Sequence, residues 1–211
     1  MIIYKEILKY LSLEISAFEF EEILTHNHGI MCQLESLIPD KNDLDSDSWN
    51  SLDAKDVLIE TSFDIMATIN MFGGFKKAMG RATAYTLIYQ LVCPYVSDLS
   101  FNDYYDKQFS FFLDTVPSYI GGKEAELYIE KIYNSIPGEM KEKDKKKFFK
   151  TKLKDLFTYI SKKPPVWIQE PEWPIMDTPL QFIKQENEGS LYKYYFCDPN
   201  SGCFKVIEQY A

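Results

Sequence analysis

The sequence predicts an α+β fold, mainly a helical bundle over residues 1–163 with a small C-terminal three-stranded antiparallel β-meander over residues 164–211 packed on it. Three observations lead there. Apolar residues recur at helical spacing up to about Ser161, and Gly, Pro and Asx signals cut the pattern into helix-length pieces. Pro164-Pro165 then stops the helical pattern, because neither proline can donate to the ladder. Beyond it come three short runs rich in Tyr, Phe, Ile and Val, separated by turn residues.

Each helix has its own warrant. Ile2 to Leu13 makes a short amphipathic helix. Ser16 with Glu19 makes a capping-box pattern, predicting a helix from Ala17 to about Thr25 that Gly29 stops. Ile30 to Ile38 resumes before Pro39, and Asp40 to Ser51 reads as a polar loop. Asp53 caps a long helix to Phe72, ended by Gly73-Gly74. Ala78 to Cys93 is apolar nearly all round and belongs in the middle of a bundle. Ser100 caps Phe101 to about Thr115; Lys123 to Ser135 and Glu139 to Ser161 follow.

The tail has period two. Leu180 to Gln185, Leu191 to Cys197 and Phe204 to Tyr210 read as strands, with turns at Glu186 to Ser190 and Asp198 to Gly202. Connections this short force antiparallel neighbours. A sheet so small needs support from helices, and Trp167 and Trp173 are the side chains placed to supply it.

Composition removes several functions. The chain has 211 residues with 23 Lys+Arg against 32 Asp+Glu, a formal charge of -9. A sequence pI near 4.8 argues against a general nucleic-acid binder and against the face of an anionic membrane. Met1 to Leu13 carries Lys5 and Lys9 inside its apolar stretch, unlike a signal peptide, and no run reaches the length of a spanning helix. The four cysteines, Cys32, Cys93, Cys197 and Cys203, are too sparse for a disulfide framework. Free thiols and a cytoplasmic location are expected.

Charge is also unevenly distributed. Residues 14–64 hold 13 acidic and 2 basic side chains, a balance of -11, and residues 141–163 hold 10 Lys against 3 acidic, a balance of +7. The lysine run reads first as a solvated helix face; it lacks the Arg that bidentate phosphate recognition favours.

No catalytic set emerges. His26 and His28 with Cys32 form H-x-H-x3-C, too small a ligand set for a structural zinc. Asp43, Asp45 and Asp47 imitate the start of a calcium loop, but Ser48 and Ala54 stand where Gly and Glu are required. Gly73 to Arg81 lacks the spacing of a phosphate loop. Glu170 and Glu172 are two apart in an extended segment and point to opposite faces, so they cannot flank one glycosidic bond. No cofactor and no metal are expected.

The densest signal is Pro164-Pro165-Val166-Trp167-Ile168-Gln169-Glu170-Pro171-Glu172-Trp173-Pro174-Ile175, followed by Pro179-Leu180-Gln181-Phe182-Ile183-Lys184-Gln185. Prolines hold it extended, and its tryptophans offer large apolar area with one donor each. Gln169 and Gln185 are placed to bond strand-edge groups or a partner's backbone. The segment resembles the C-terminal module of small bacterial proteins with a PPxWIQxPEWP and PLxFIxQ pattern. Some of those are similar to immunity proteins of polymorphic toxin systems.

That resemblance, taken with the acidic balance of residues 14–64 and the absence of a catalytic set, leads to the expectation of a non-catalytic, immunity-type inhibitor of a basic toxin domain. The residues expected to meet such a partner are Trp167, Gln169, Glu172 and Trp173, with Asp43, Asp45 and Asp47 supplying electrostatic steering. Two other readings remain open on the residues: a small-ligand-binding protein or enzyme with a pocket between bundle and sheet, and an adaptor acting through Lys141 to Lys163.

Overall fold

A computed structural model describes residues 3–39 and 58–211, and within these the α+β prediction holds. The helices are α1 (Lys5–Leu11), α2 (Ala17–His26), α3 (His28–Ser36), α4 (Ile65–Met71), α5 (Ala78–Val92), α6 (Tyr104–Thr115), α7 (Lys123–Asn134) and α8 (Glu142–Leu156). The strands β1 (Gln181–Glu188), β2 (Leu191–Cys197) and β3 (Phe204–Tyr210) form one antiparallel sheet in the order β1-β2-β3. The chain divides into two compact units, residues 1–110 and 111–211. The change of sequence period lies further on, at 163/164.

In the first unit the capping box forms as expected. Ser16 Oγ accepts from Glu19 N–H at 3.2 Å, and Glu19 accepts from Ser16 N–H at 2.8 Å. The break between α2 and α3 differs in detail. Asn27 accepts from Gly29 N–H at 3.1 Å and caps α3, so Gly29 starts the second helix rather than ending the first. The single long helix expected up to Phe72 is also interrupted. Residues 58–60 are helical, Ser62 and Phe63 take positive φ, and Asp64 re-caps α4 by accepting from Ala67 N–H at 2.9 Å. The expected Asp53 cap lies outside the described residues.

Helix α5 fills the middle of this unit, buried along most of its length. Tyr10 stacks on Phe20 with ring centres 4.2 Å apart, and the Tyr85 hydroxyl donates to Leu11 O at 2.7 Å. Burial pushes the Tyr10 phenol well above its ordinary pKa. Arg81 is fully buried; it donates to Gln108 Oε1 through Nε and Nη2, and through Nη1 to the carbonyls of Phe75 and Lys76. The Gly73-Gly74 turn approaches α5 so closely that a Cβ on Gly80 would meet Gly74 O at 1.9 Å. Helix α6 starts three residues later than the Phe101 expected from a Ser100 cap. Asn102, not Ser100, accepts from Tyr104 N–H at 3.0 Å.

In the second unit Phe111, Phe112, Tyr133 and Phe149 form an aromatic core, with Phe112 stacked on Phe149 at 5.8 Å. Helix α8 ends at Leu156, short of the expected Ser161. The chain then turns to the sheet: Phe182 donates to Thr158 O at 3.0 Å and accepts from Ile160 N–H at 2.9 Å. β1 runs to Glu188 rather than Gln185, leaving a tight Gly189-Ser190 connection in which Gly189 has φ +70°. Cys197 and Cys203 carry free thiols.

Candidate functional site

Alternation sets the two faces of the sheet. Tyr194 and Phe196 of β2 are buried, so their partners Ile207 and Lys205 share the inner face with Gln209. Phe204, Val206, Glu208 and Tyr210 take the outer face.

The proline- and tryptophan-rich segment lies along the inner face as a strap. Gln209, only 4% exposed, accepts from the N–H groups of Ile168 and Gln169 at 3.3 and 3.1 Å, and its Nε2 donates to Glu170 O at 2.8 Å. Tyr194 donates to Val166 O at 3.1 Å and accepts from Ile168 N–H at 3.2 Å. Burial raises the pKa of this phenol. Gln185 accepts from Val166 N–H at 2.8 Å. An extended strap has no ladder of its own, so these side chains take its polar groups.

The sequence-predicted residues separate in this frame. Trp173 is 1% exposed, set between Phe157 at 5.4 Å and Phe196 at 5.3 Å, and its Nε1 donates to Leu180 O at 2.8 Å. Its indole offers no surface to a partner, because its area is already used to join α8 to the sheet. Trp167 is half-buried, its ring 4.3 Å from that of Tyr194 and its Nε1 donating to Tyr119 O at 2.9 Å. Gln169 is exposed but donates through Nε2 to Tyr210 O at 2.8 Å. Glu172 is exposed. Asp43, Asp45 and Asp47 lie outside the described residues.

Glu172 borders a cleft of about 200 Å³ lined by Gly122, Lys123 and Glu124 at the start of α7, by Trp173 and Pro174 of the strap, and by Lys205 and Ile207 of β3. Its walls meet because Gly121 and Gly122 carry no side chain. Trp173 N–H donates to Gly121 O at 2.8 Å, and a Cβ on Gly122 would stand 3.0 Å from Glu172 Cα. The cleft is shallow in chemistry: two lysines, two carboxylates, and neither His26 nor His28. Glu124 also accepts from Ile175 N–H at 3.3 Å.

Elsewhere, His28 Nε2 lies 3.4 Å from Cys32 Sγ, and among the described residues no three His, Cys, Asp or Glu side chains gather as a metal set. No helix among them is long and apolar enough to cross a membrane.

Gln209, Tyr194, Lys205 and Gly121-Gly122 were not singled out from sequence. Gln209 left one signal: a polar residue at an inward position of an alternating strand. No protein-family model, curated protein or solved structure matches the chain, so the site is read from its residues.

Proposed function

We propose that this chain is a non-catalytic, cytoplasmic binding protein of bacterial type, an immunity-like inhibitor that masks a basic toxin domain. The observation that carries the reading is charge segregation: residues 14–64 have a balance of -11. Where that stretch is described, Glu14, Glu19, Glu22, Glu35, Glu60 and Asp64 are all exposed. Such a surface raises the encounter rate with a basic partner and repels acidic ones. The tail's likeness to immunity-associated modules points the same way.

The reading is tested by capture from native host lysate at low salt. A stoichiometric basic polypeptide is expected. Neutralising Glu14, Glu22, Glu35, Asp43, Asp45 and Asp47 to their amides should weaken its binding at least tenfold at low salt and flatten the salt dependence. Unchanged affinity would remove the steering idea. The cleft favours a ligand-binding protein less, since about 200 Å³ falls below the volume of common small-molecule sites.

A further inference from the structure

Helix α3 carries a thiol and an imidazole on one face. Asn27 caps the helix, so His28 is its first residue and Cys32 stands one turn further on. Residues four apart meet on a helix surface. His28 Nε2 lies 3.4 Å from Cys32 Sγ, within hydrogen-bond reach of a sulfur. The opposite face of α3 buries Ile30 and Leu34, which anchors the helix and turns both groups outward. His28 and Cys32 are both exposed.

The other three thiols are placed differently. Cys93 is half-buried, burial pushes its pKa up, and its Sγ donates to Gln90 O at 3.7 Å. Cys197 is half-buried in β2. Cys203 is exposed like Cys32, yet among the described residues its sulfur bonds no base. The chain has two histidines, and the other one, His26, sets its Nδ1 2.7 Å from Glu22 O. Cys32 and Cys203 therefore offer a comparison within one molecule: two exposed thiols, one with an imidazole and one without.

We propose that Cys32 is a site of S-thiolation by low-molecular-weight disulfides, with His28 taking the thiol proton. This chemistry is independent of the basic-partner reading and needs no partner protein. With the imidazole proton on Nδ1, Nε2 accepts from Sγ–H, and the thiolate that forms is the nucleophile. It attacks one sulfur of a disulfide R–S–S–R. A bond forms between Sγ and that sulfur, the S–S bond of the reagent breaks, and the electron pair leaves on the second sulfur. The proton held on Nε2 passes to this leaving thiolate, which departs as R–S–H. Cys32 is oxidised to a mixed disulfide and the other half of the reagent is reduced to a thiol, so no further oxidant is needed. Excess thiol reverses the step.

The test exposes the full chain to a sub-stoichiometric amount of dithiodipyridine, a small neutral disulfide, and follows each cysteine over time by peptide mass spectrometry. Cys32 should react about tenfold faster than Cys203, a modest gain for a positioned base because water reaches both groups. Added thiol should restore it. His28→Ala should bring the Cys32 rate down to that of Cys203. The sign of this change separates two roles for the ring. A ring that merely covers the sulfur predicts a faster reaction once removed, and a ring that takes the proton predicts a slower one. His28→Gln keeps a polar side chain that takes up no proton, and should match the alanine variant. It replaces that variant if His28→Ala loses its fold by circular dichroism.

Cys32 reacting no faster than Cys203 would overturn the inference. So would an unchanged or raised Cys32 rate in a folded His28 variant.

Discussion

Gln209 holds more of the strap than any tryptophan does. Its amide bonds three backbone groups at Ile168, Gln169 and Glu170 from a buried position. Gln209→Leu keeps the volume and leaves all three without that partner, so urea unfolding should show a loss of about 1–3 kcal/mol. Gln209→Glu should be no milder at neutral pH, since a carboxylate cannot donate to Glu170 O. At the other end of the chain, Ser16→Ala should cost about 1 kcal/mol by removing the α2 cap. The bonds that Glu19 accepts from Ser16, backbone N–H foremost, hold its carboxyl below the ordinary Glu range. A folded-state pKa below the unfolded one gives stability that is present above the unfolded value and lost as pH falls through the folded value. The stability gap between wild type and Glu19→Gln should therefore be seen at pH 6 and close on acidification to pH 3, measured by urea titration at each pH.

Elements are placed by contacts that local patterns do not contain. The turn into α5 is set by Gly80, where an added Cβ would sit 1.9 Å from a backbone carbonyl that cannot move aside cheaply. Gly80→Ala should cost roughly 3 kcal/mol or more, or prevent folding, as read by circular dichroism and thermal melting. Gly138, whose Cβ would meet nothing within 4 Å, is the control and should tolerate Ala. Trp173 plays the corresponding part in the second unit. Trp173→Ala removes a fully buried indole between α8 and the sheet and should cost about 3–5 kcal/mol, whereas half-buried Trp167→Ala should cost less. The strands read well from sequence because period two, aromatic content and short turns agree. The helix expected from Asp53 to Phe72 read poorly in its second half. Its apolar spacing continues across residues 61–63, and nothing local shows that Ser62 and Phe63 take positive φ.

For the whole molecule, charge is the property with functional reach. The acidic stretch at residues 14–64 is the surface on which the proposed basic partner would be steered, and binding driven in this way weakens as salt rises. Raising ionic strength from low to physiological should slow association with the captured partner much more than it speeds dissociation, as read by stopped-flow or surface kinetics. Equal effects on both rates would count against long-range steering.

Fold class, the strand runs, the Ser16–Glu19 cap and the segregation of charge are all local properties, carried by residues a few positions apart, and the chain's own order of side chains sets them. Position in space is what assigns roles in the 164–211 region. Trp167 and Trp173 look equivalent in sequence, yet Trp173 is sealed against Phe157 and Phe196, where Gly121-Gly122 lets the strap come close at Pro171 to Trp173, while Trp167 stays half-open. β1 and β3 look equally strand-like, yet among the described residues only the β1 edge is covered, because the chain leaving α8 returns past Phe182. Both outcomes depend on residues tens of positions apart meeting across the fold, and a linear pattern holds no record of such meetings.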